Sequence, residues 1–272
     1  MENQEAYINQ ILQSRKEHEH ALIQSPRNWL SLSGLFLLHE GDNRVNSSPH
    51  CIFIEGFPAD AEIIINVAKG RASLVQATAG VLLNDKPAQP QFLIADVDGE
   101  ADVLAAGSLL MIVIQRGSQL YLRVWNLDAQ TLKDFHGLNY YPVNPAFCLP
   151  AEYIPFDIPR EKIIRDAIGG ETSKPFPGFV RFRFMGSNYE LIAEEIEEQF
   201  LLNFTDLTRQ DTTYPGGRFM VIDKPEQNEM TLDFNLARNW PCAYTPYATC
   251  PLPPVENHLM LRIEAGEMRF HD

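Results

Sequence analysis

The stretch Leu109-Leu110-Met111-Ile112-Val113-Ile114-Gln115, the turn Arg116-Gly117-Ser118, and the return Leu120-Tyr121-Leu122-Arg123-Val124-Trp125-Asn126 decide the fold class. Two short runs of Ile, Val, Leu and aromatic residues, separated by turn chemistry, read as neighbouring strands. The same texture extends back towards the N-terminus through Trp29–Leu38, Cys51–Glu55, Glu62–Ala68, Ala72–Gln76, Val81–Asn84 and Gln91–Ala95. Asn84-Asp85 and Asp96-Val97-Asp98-Gly99 supply further turns. Strand–turn spacing of roughly 8–12 residues without intervening helices predicts an antiparallel sandwich or barrel.

Before these runs, residues 4–24 predict one helix, with Ile8, Ile11, Leu12 and Leu22 near helical spacing and Pro26 as a stop. His18-Glu19-His20 falls inside it. Positions i and i+2 do not share a helix face, so the expectation there is solvated side chains and no metal. After the sandwich, residues 128–178 carry Pro142, Pro145, Pro150, Pro155, Pro159, Pro175 and Pro177. Proline cannot donate to a ladder, so apart from a strand at Phe147–Ile154 this stretch reads as connection and wrapping. From Phe179 the strand pattern returns. Arg181 and Arg183 face Glu190 and Glu194 across the turn Gly186-Ser187-Asn188, and Gln199–Phe204, Arg218–Ile222, Met230–Phe234 and His258–Glu264 follow. The expectation is an all-β, mainly antiparallel chain: an N-terminal helix (1–27), a β-sandwich (28–127) and a second β domain (128–272).

At 272 residues, with 45% hydrophobic and 21% charged residues, the chain is long enough to fold around its own cores. Its formal charge of −14 and the absence of clustered Lys and Arg argue against a nucleic-acid partner, and the same sign argues against anionic membrane surfaces. The start, Met1-Glu2-Asn3-Gln4-Glu5, lacks the basic and apolar regions of a signal peptide, and no apolar run approaches the roughly 20 residues of a membrane helix. The expected location is the cytoplasm, where Cys51, Cys148, Cys242 and Cys250 are free thiols. Phosphate-loop, dinucleotide, nucleophile-elbow and zincin signatures are all missing. No cofactor or oligomeric state can be named from the sequence.

The segment from Asp206 to Glu267 is the densest in special residues. Two glycines before an arginine, in Thr213-Tyr214-Pro215-Gly216-Gly217-Arg218, allow close backbone approach and set a guanidinium fork suited to a carboxylate or phosphate. The same residues also fit a hairpin turn whose Arg218 pairs with Asp206 or Asp233. Asp233 and Asn235 alternate around Phe234 and so share one face. The loop Trp240-Pro241-Cys242-Ala243-Tyr244-Thr245-Pro246-Tyr247-Ala248-Thr249-Cys250-Pro251-Leu252-Pro253-Pro254 holds five prolines, too rigid for a linker and rich in groups that can present hydrogen bonds. Cys242 and Cys250 fit small buried hydrophobes best, with a disulfide or a metal pair completed by His258 as the other readings.

The leading functional expectation is a binding module for a small anionic metabolite. Arg218 would hold the charge, Tyr214, Asp233, Asn235, Tyr244 and Thr245 would give hydrogen bonds, and Gly217 and Cys242 would line the site. A second is a metal-independent, hydrolase-like enzyme pairing Cys242 or Cys250 with His136 or His258, the histidines expected away from the surface. A third is an interaction scaffold without chemistry.

The run Asp233-Phe234-Asn235, with Pro241 through Asn257, resembles the signature of the prokaryotic domain-of-unknown-function family numbered 1684. Trp29-Leu30-Ser31-Leu32-Ser33-Gly34-Leu35, Arg116-Gly117 and Thr213 to Arg218 are similar to its other shared blocks. This chain departs from the pattern at Pro215, where Gly is expected, and at Trp240, where Pro is expected. The family brings no established activity with it, so the resemblance implies membership and not chemistry. The first β unit also resembles a forkhead-associated sandwich at Gly41–Arg44 and Asn84-Asp85. Ser73-Leu74-Val75-Gln76 has Gln in place of the phosphopeptide-reading His, so the implied likeness is one of fold.

Overall fold

The hairpin read at 109–126 forms: Leu109–Arg116 pairs antiparallel with Gln119–Asn126, from Leu109↔Asn126 to Arg116↔Gln119. Gly117 turns it at φ 57°, a region that glycine enters without strain. The computed structural model describes residues 2–48, 50–225 and 227–271. The chain divides into two compact units, one spanning 22–135 and the other combining 1–21 with 136–272.

In the first unit, one sheet runs in the order Leu32–Leu38, Gln119–Asn126, Leu109–Arg116, Leu104–Ala106, Leu82–Leu83, Lys86–Pro87. The other runs Ile52–Phe53, Gly41–Asn46, Ile63–Ala68, Arg71–Ala77, Gln91–Phe92. Val45, Ile63, Ile65 and Leu74 from one sheet share a core with Leu109, Met111, Leu122 and Val124 from the other. Each such buried aliphatic side chain stabilises the fold by about 1.5–3 kcal/mol before entropy is set against it. Asn84 and Asp85 both take positive φ (50° and 63°), the type I′ geometry of a two-residue hairpin.

The second unit contains strands β1 (Cys148–Arg165), β2 (Glu171–Phe184), β3 (Ser187–Ile196), β4 (Gln199–Asp206), β5 (Arg218–Asp223), β6 (Glu229–Asp233), β7 (Arg238–Asn239) and β8 (His258–Leu259). Their order is β6-β1-β2-β3-β4-β5-β7, antiparallel throughout, with β8 joining β4 in parallel. The all-β expectation holds, but the proline-rich stretch is corrected. β1 and β2 are the longest strands of the chain and lie inside the sheet order, although they contain Pro150, Pro155, Pro159, Pro175 and Pro177. The sheet tolerates them because the ladder breaks between Pro155 and Arg160, and because β6 covers β1 only from Cys148 to Glu152. Most of these prolines therefore sit at a bulge or on an edge with no neighbour to receive an N–H. Arg181 pairs with Glu190 across β2 and β3, as their alternation predicts, and an exposed pair of this kind adds a few tenths of a kcal/mol. Phe182, Phe204 and Phe234 meet edge-on at the centre of the core, with ring centroids 5.4 and 5.5 Å apart.

Helix α1 (Glu2–Gln24) packs on this second unit up to Ala21. Its buried face differs from the apolar one expected. Ile11 and Leu22 are buried and Ile8 half-buried, as expected, but Leu12 is exposed, and polar side chains share the packed face. Tyr7 donates to Asp233 Oδ2 (2.8 Å), Arg15 donates to the carbonyls of Tyr141 (2.9 Å) and Asn235 (3.4 Å), and Glu19 accepts from the Leu138 amide (3.0 Å). The Arg15 guanidinium also lies 4.5 Å from the centre of the Tyr140 ring. His18, expected in solvent, stands 3.7 Å from Glu267 instead. Arg15→Met keeps the buried stem and removes these bonds. It is expected to lower stability to urea by about 1.5–3 kcal/mol and to speed amide exchange along α1. Unchanged exchange would show that Ile11 alone docks the helix.

Candidate functional site

Arg218 opens β5 and is 1% exposed, among the largest fully buried side chains of the chain. Its Nη1 donates to the carbonyls of Ala265 and Glu267, and its Nη2 donates to the Ile263 carbonyl (2.9 Å) and to Asp206 Oδ1 (3.1 Å). Burial pulls its pKa down, while the Asp206 carboxylate holds the charge in place. The guanidinium is thus committed to protein acceptors. The reading of Arg218 as the holder of a ligand's charge is corrected by this placement, and the pairing with Asp206 is what forms. Gly217 sits beside it at φ 99°, where an added Cβ would stand 2.6 Å from the Phe204 carbonyl and 2.8 Å from Pro253 Cγ. Its role is close packing inside the unit.

Asp233 and Asn235 do share a face, with Phe234 buried on the other side. That face lies under α1: Asn235 Nδ2 donates to Asp233 Oδ1 (2.9 Å), to Tyr7 Oη (3.0 Å) and to the Asn144 carbonyl (2.9 Å). Both residues are spent on holding the helix.

The remaining candidates come together. Tyr214, Cys242, Tyr244 and Thr245 line a surface cleft of about 440 Å3 with Pro215, Pro246, Arg269, Phe270 and His271. The turn that presents Tyr214 closes with Gly217 N donating to the Tyr214 carbonyl (3.1 Å), and the loop begins in a short 3-10 turn at Pro241–Ala243. Tyr244 turns its hydroxyl inward, donating to Glu267 Oε1 at 2.6 Å. Glu267 is fully buried and also accepts from Asn239 N (3.0 Å) and Nδ2 (2.8 Å), so its side chain ties the loop to the C-terminal segment. Thr245 Oγ1 accepts from the Tyr247 amide at 3.3 Å. Burial, reinforced by the thiols of Cys242 and Cys250, pushes the Tyr214 hydroxyl up to about 12.

Arg269 supplies the positive charge of this cleft and His271 a second basic side chain, and residue-by-residue reading of the sequence passes them over. Arg269 N donates to the Thr212 carbonyl (3.0 Å), which fixes its backbone. Among the described residues no carboxylate pairs with its guanidinium, and its buried Nε has no hydrogen-bond partner. The signal available was Arg269-Phe270-His271 itself, two basic groups flanking an aromatic in a chain of net charge −14. His136 and His258 are corrected to exposed positions, His258 Nδ1 lying 2.8 Å from Thr205 Oγ1. Other concavities, about 290 Å3 beside Arg71 and Phe92 and about 600 Å3 between Lys162 and Val255, gather none of the expected residues. No group of three metal-ligating side chains occurs among the described residues, and no helix among them is long and apolar enough to cross a membrane.

A family model described as a protein of unknown function (DUF1684) matches residues 133–268, half of the chain. Among solved structures, an uncharacterized protein of Haloarcula marismortui, determined by solution NMR, is similar at 28% identity. That likeness covers 50% of this chain and 78% of the other, with a TM-score of 0.42. No curated protein matches the chain.

Two outcomes follow from this geometry. Arg218→Met strands the Asp206 carboxylate in the interior and is expected to cost about 3–5 kcal/mol in urea unfolding. A loss under about 1 kcal/mol would show that the carbonyls and Asp206 find other partners. Tyr7, Tyr140, Tyr153, Tyr214 and Tyr244 are all held protonated, chiefly by burial. A pKa raised on folding means the native state binds more protons above the unfolded value near 10, so stability is full below about pH 10 and falls as pH rises further. Spectrophotometric titration should show these tyrosines ionising late, with Tyr214→Phe removing a component near pH 12. Ionisation of all tyrosines together near pH 10 would contradict their burial.

Proposed function

The chain belongs to the DUF1684 family of proteins of unknown function, and from that premise we propose that its C-terminal unit is a binding module for a small anionic molecule. The ligand sits in the cleft walled by Tyr214, Cys242, Tyr244 and Thr245, and its negative charge meets Arg269 and His271 rather than Arg218. One observation carries this reading: Arg269 lines a partly apolar, aromatic cleft with no carboxylate partner among the described residues. In a chain with 36 acidic and 22 basic residues, this half-buried guanidinium meets no acid among the described residues. A planar fork of N–H donors suits a carboxylate or phosphate bound in two-point fashion. The proline-rich loop keeps the wall rigid, so little ordering is lost when a ligand enters.

The probes are inorganic phosphate and citrate, added to the full chain while thermal unfolding is followed. Binding to the native state stabilises by RT ln(1 + [L]/Kd), about 2.7 kcal/mol at a hundredfold excess over Kd, so the melting temperature should rise with the logarithm of concentration once Kd is passed. Arg269→Gln should abolish this logarithmic rise. It should leave the general stabilisation, growing in proportion to concentration, that excluded anions give any protein. An equal rise in wild type and Arg269→Gln, or none in either, would refute the cleft as an anion site.

A further inference from the structure

We propose that Cys242 and Cys250 are a reversible dithiol–disulfide site whose reaction partner is a low-molecular-weight disulfide. None of the four cysteines is in a disulfide in the structure, and Cys242 and Cys250 lie side by side. Cys250 Sγ accepts a hydrogen bond from the Cys242 amide at 3.2 Å, so it stands against the backbone from which the Cys242 side chain springs. Cys242 Sγ donates to the Ala248 carbonyl at 3.4 Å, inside the same closed loop, and Pro241, Pro246 and Pro251 limit how far that loop can open.

The two thiols differ in a way that assigns their roles. Cys242 is half-buried and lines the cleft together with Arg269 and His271. Cys250 is buried behind it. A small disulfide RS–SR therefore meets Cys242 first. The Cys242 thiolate attacks one sulfur of RS–SR, forming a mixed disulfide and expelling RS⁻, which takes up the proton Cys242 released. Cys250 then gives up its proton and attacks the Cys242 sulfur, expelling the second RS⁻, which is protonated in turn. Two protein thiols are oxidised to one disulfide while RS–SR is reduced to two RSH, and an excess of RSH reverses the exchange. The other two cysteines serve as internal controls. Burial and the Asp233 carboxylate raise the Cys148 pKa, which disfavours its thiolate, and Cys51 belongs to the sandwich unit. The site stands on its own geometry, whether or not the cleft binds an anion.

The test treats the full-length chain with oxidised glutathione, blocks remaining thiols with N-ethylmaleimide, and reads intact mass and a peptide map. The expected result is that two of the four thiols escape blocking, with the Cys242 and Cys250 peptides joined and the protein lighter by two hydrogens before blocking. Dithiothreitol should restore four blockable thiols. In Cys250→Ser the first step should stop at one glutathionyl group on Cys242. Four blocked thiols in treated wild type, or a cross-link involving Cys51 or Cys148, would overturn the proposal. The wild-type measurement decides the matter even if the Cys250→Ser chain does not fold.

Discussion

The arrangement of the C-terminal unit depends on how one buried guanidinium is satisfied. Arg218 is buried away from solvent, and an unpaired charge at that depth would cost several kcal/mol. It is met by one carboxylate and by the carbonyls of Ile263, Ala265 and Glu267, which belong to one irregular segment that turns at Gly266 (φ 76°). Two nitrogens of a single planar fork thus take three carbonyls of that segment. The segment is thereby held against the first residue of β5. Gly217 is required because any Cβ there would collide with the Phe204 carbonyl of β4.

The cleft follows from that clamp. Once Glu267 is fixed, its side chain receives Tyr244 and Asn239, which draws the proline-rich loop onto the same segment. The chain then continues directly into Arg269-Phe270-His271, delivering them opposite Tyr214 and Cys242. A buried arginine and one with no acid among the described residues thus divide the work: one builds the wall, and the other lines the cleft. Helix α1 closes a neighbouring seam by the same physics, with Arg15, Tyr7 and Glu19 supplying the donors and acceptors that the unit leaves unsatisfied.

Much of this was legible in the sequence, and what was not has physical causes. The alternation at 109–126, the positive-φ pair Asn84-Asp85 and the Arg181–Glu190 register can be read because each depends on neighbours close along the chain. Cys242, Tyr244 and Thr245 stand out because a rigid, aromatic, proline-rich loop is unusual wherever it occurs, and they line one cleft with Tyr214. Arg218 drew attention for the right composition but with the wrong direction, since nothing local shows that three carbonyls some 45 to 49 residues later converge on it. The helix face was read only in part because its inward positions 7, 11, 15 and 18, of which 11 and 15 are buried, keep helical spacing only when tyrosine, arginine and histidine count as inward residues. Proline in β1 and β2 misled for a related reason. A missing N–H matters only where a neighbouring strand would have received it.

The most direct measurement is a ¹H–¹⁵N spectrum of the arginine Nε–H groups of the full chain, recorded while inorganic phosphate is added. The account predicts two separate behaviours. The Arg218 signal should be protected from solvent exchange and unmoved by phosphate, while the Arg269 signal should shift and saturate. An Arg218 signal that exchanges freely or follows the phosphate, or an Arg269 signal that stays in place, would contradict the division between a buried clamp and an open cleft.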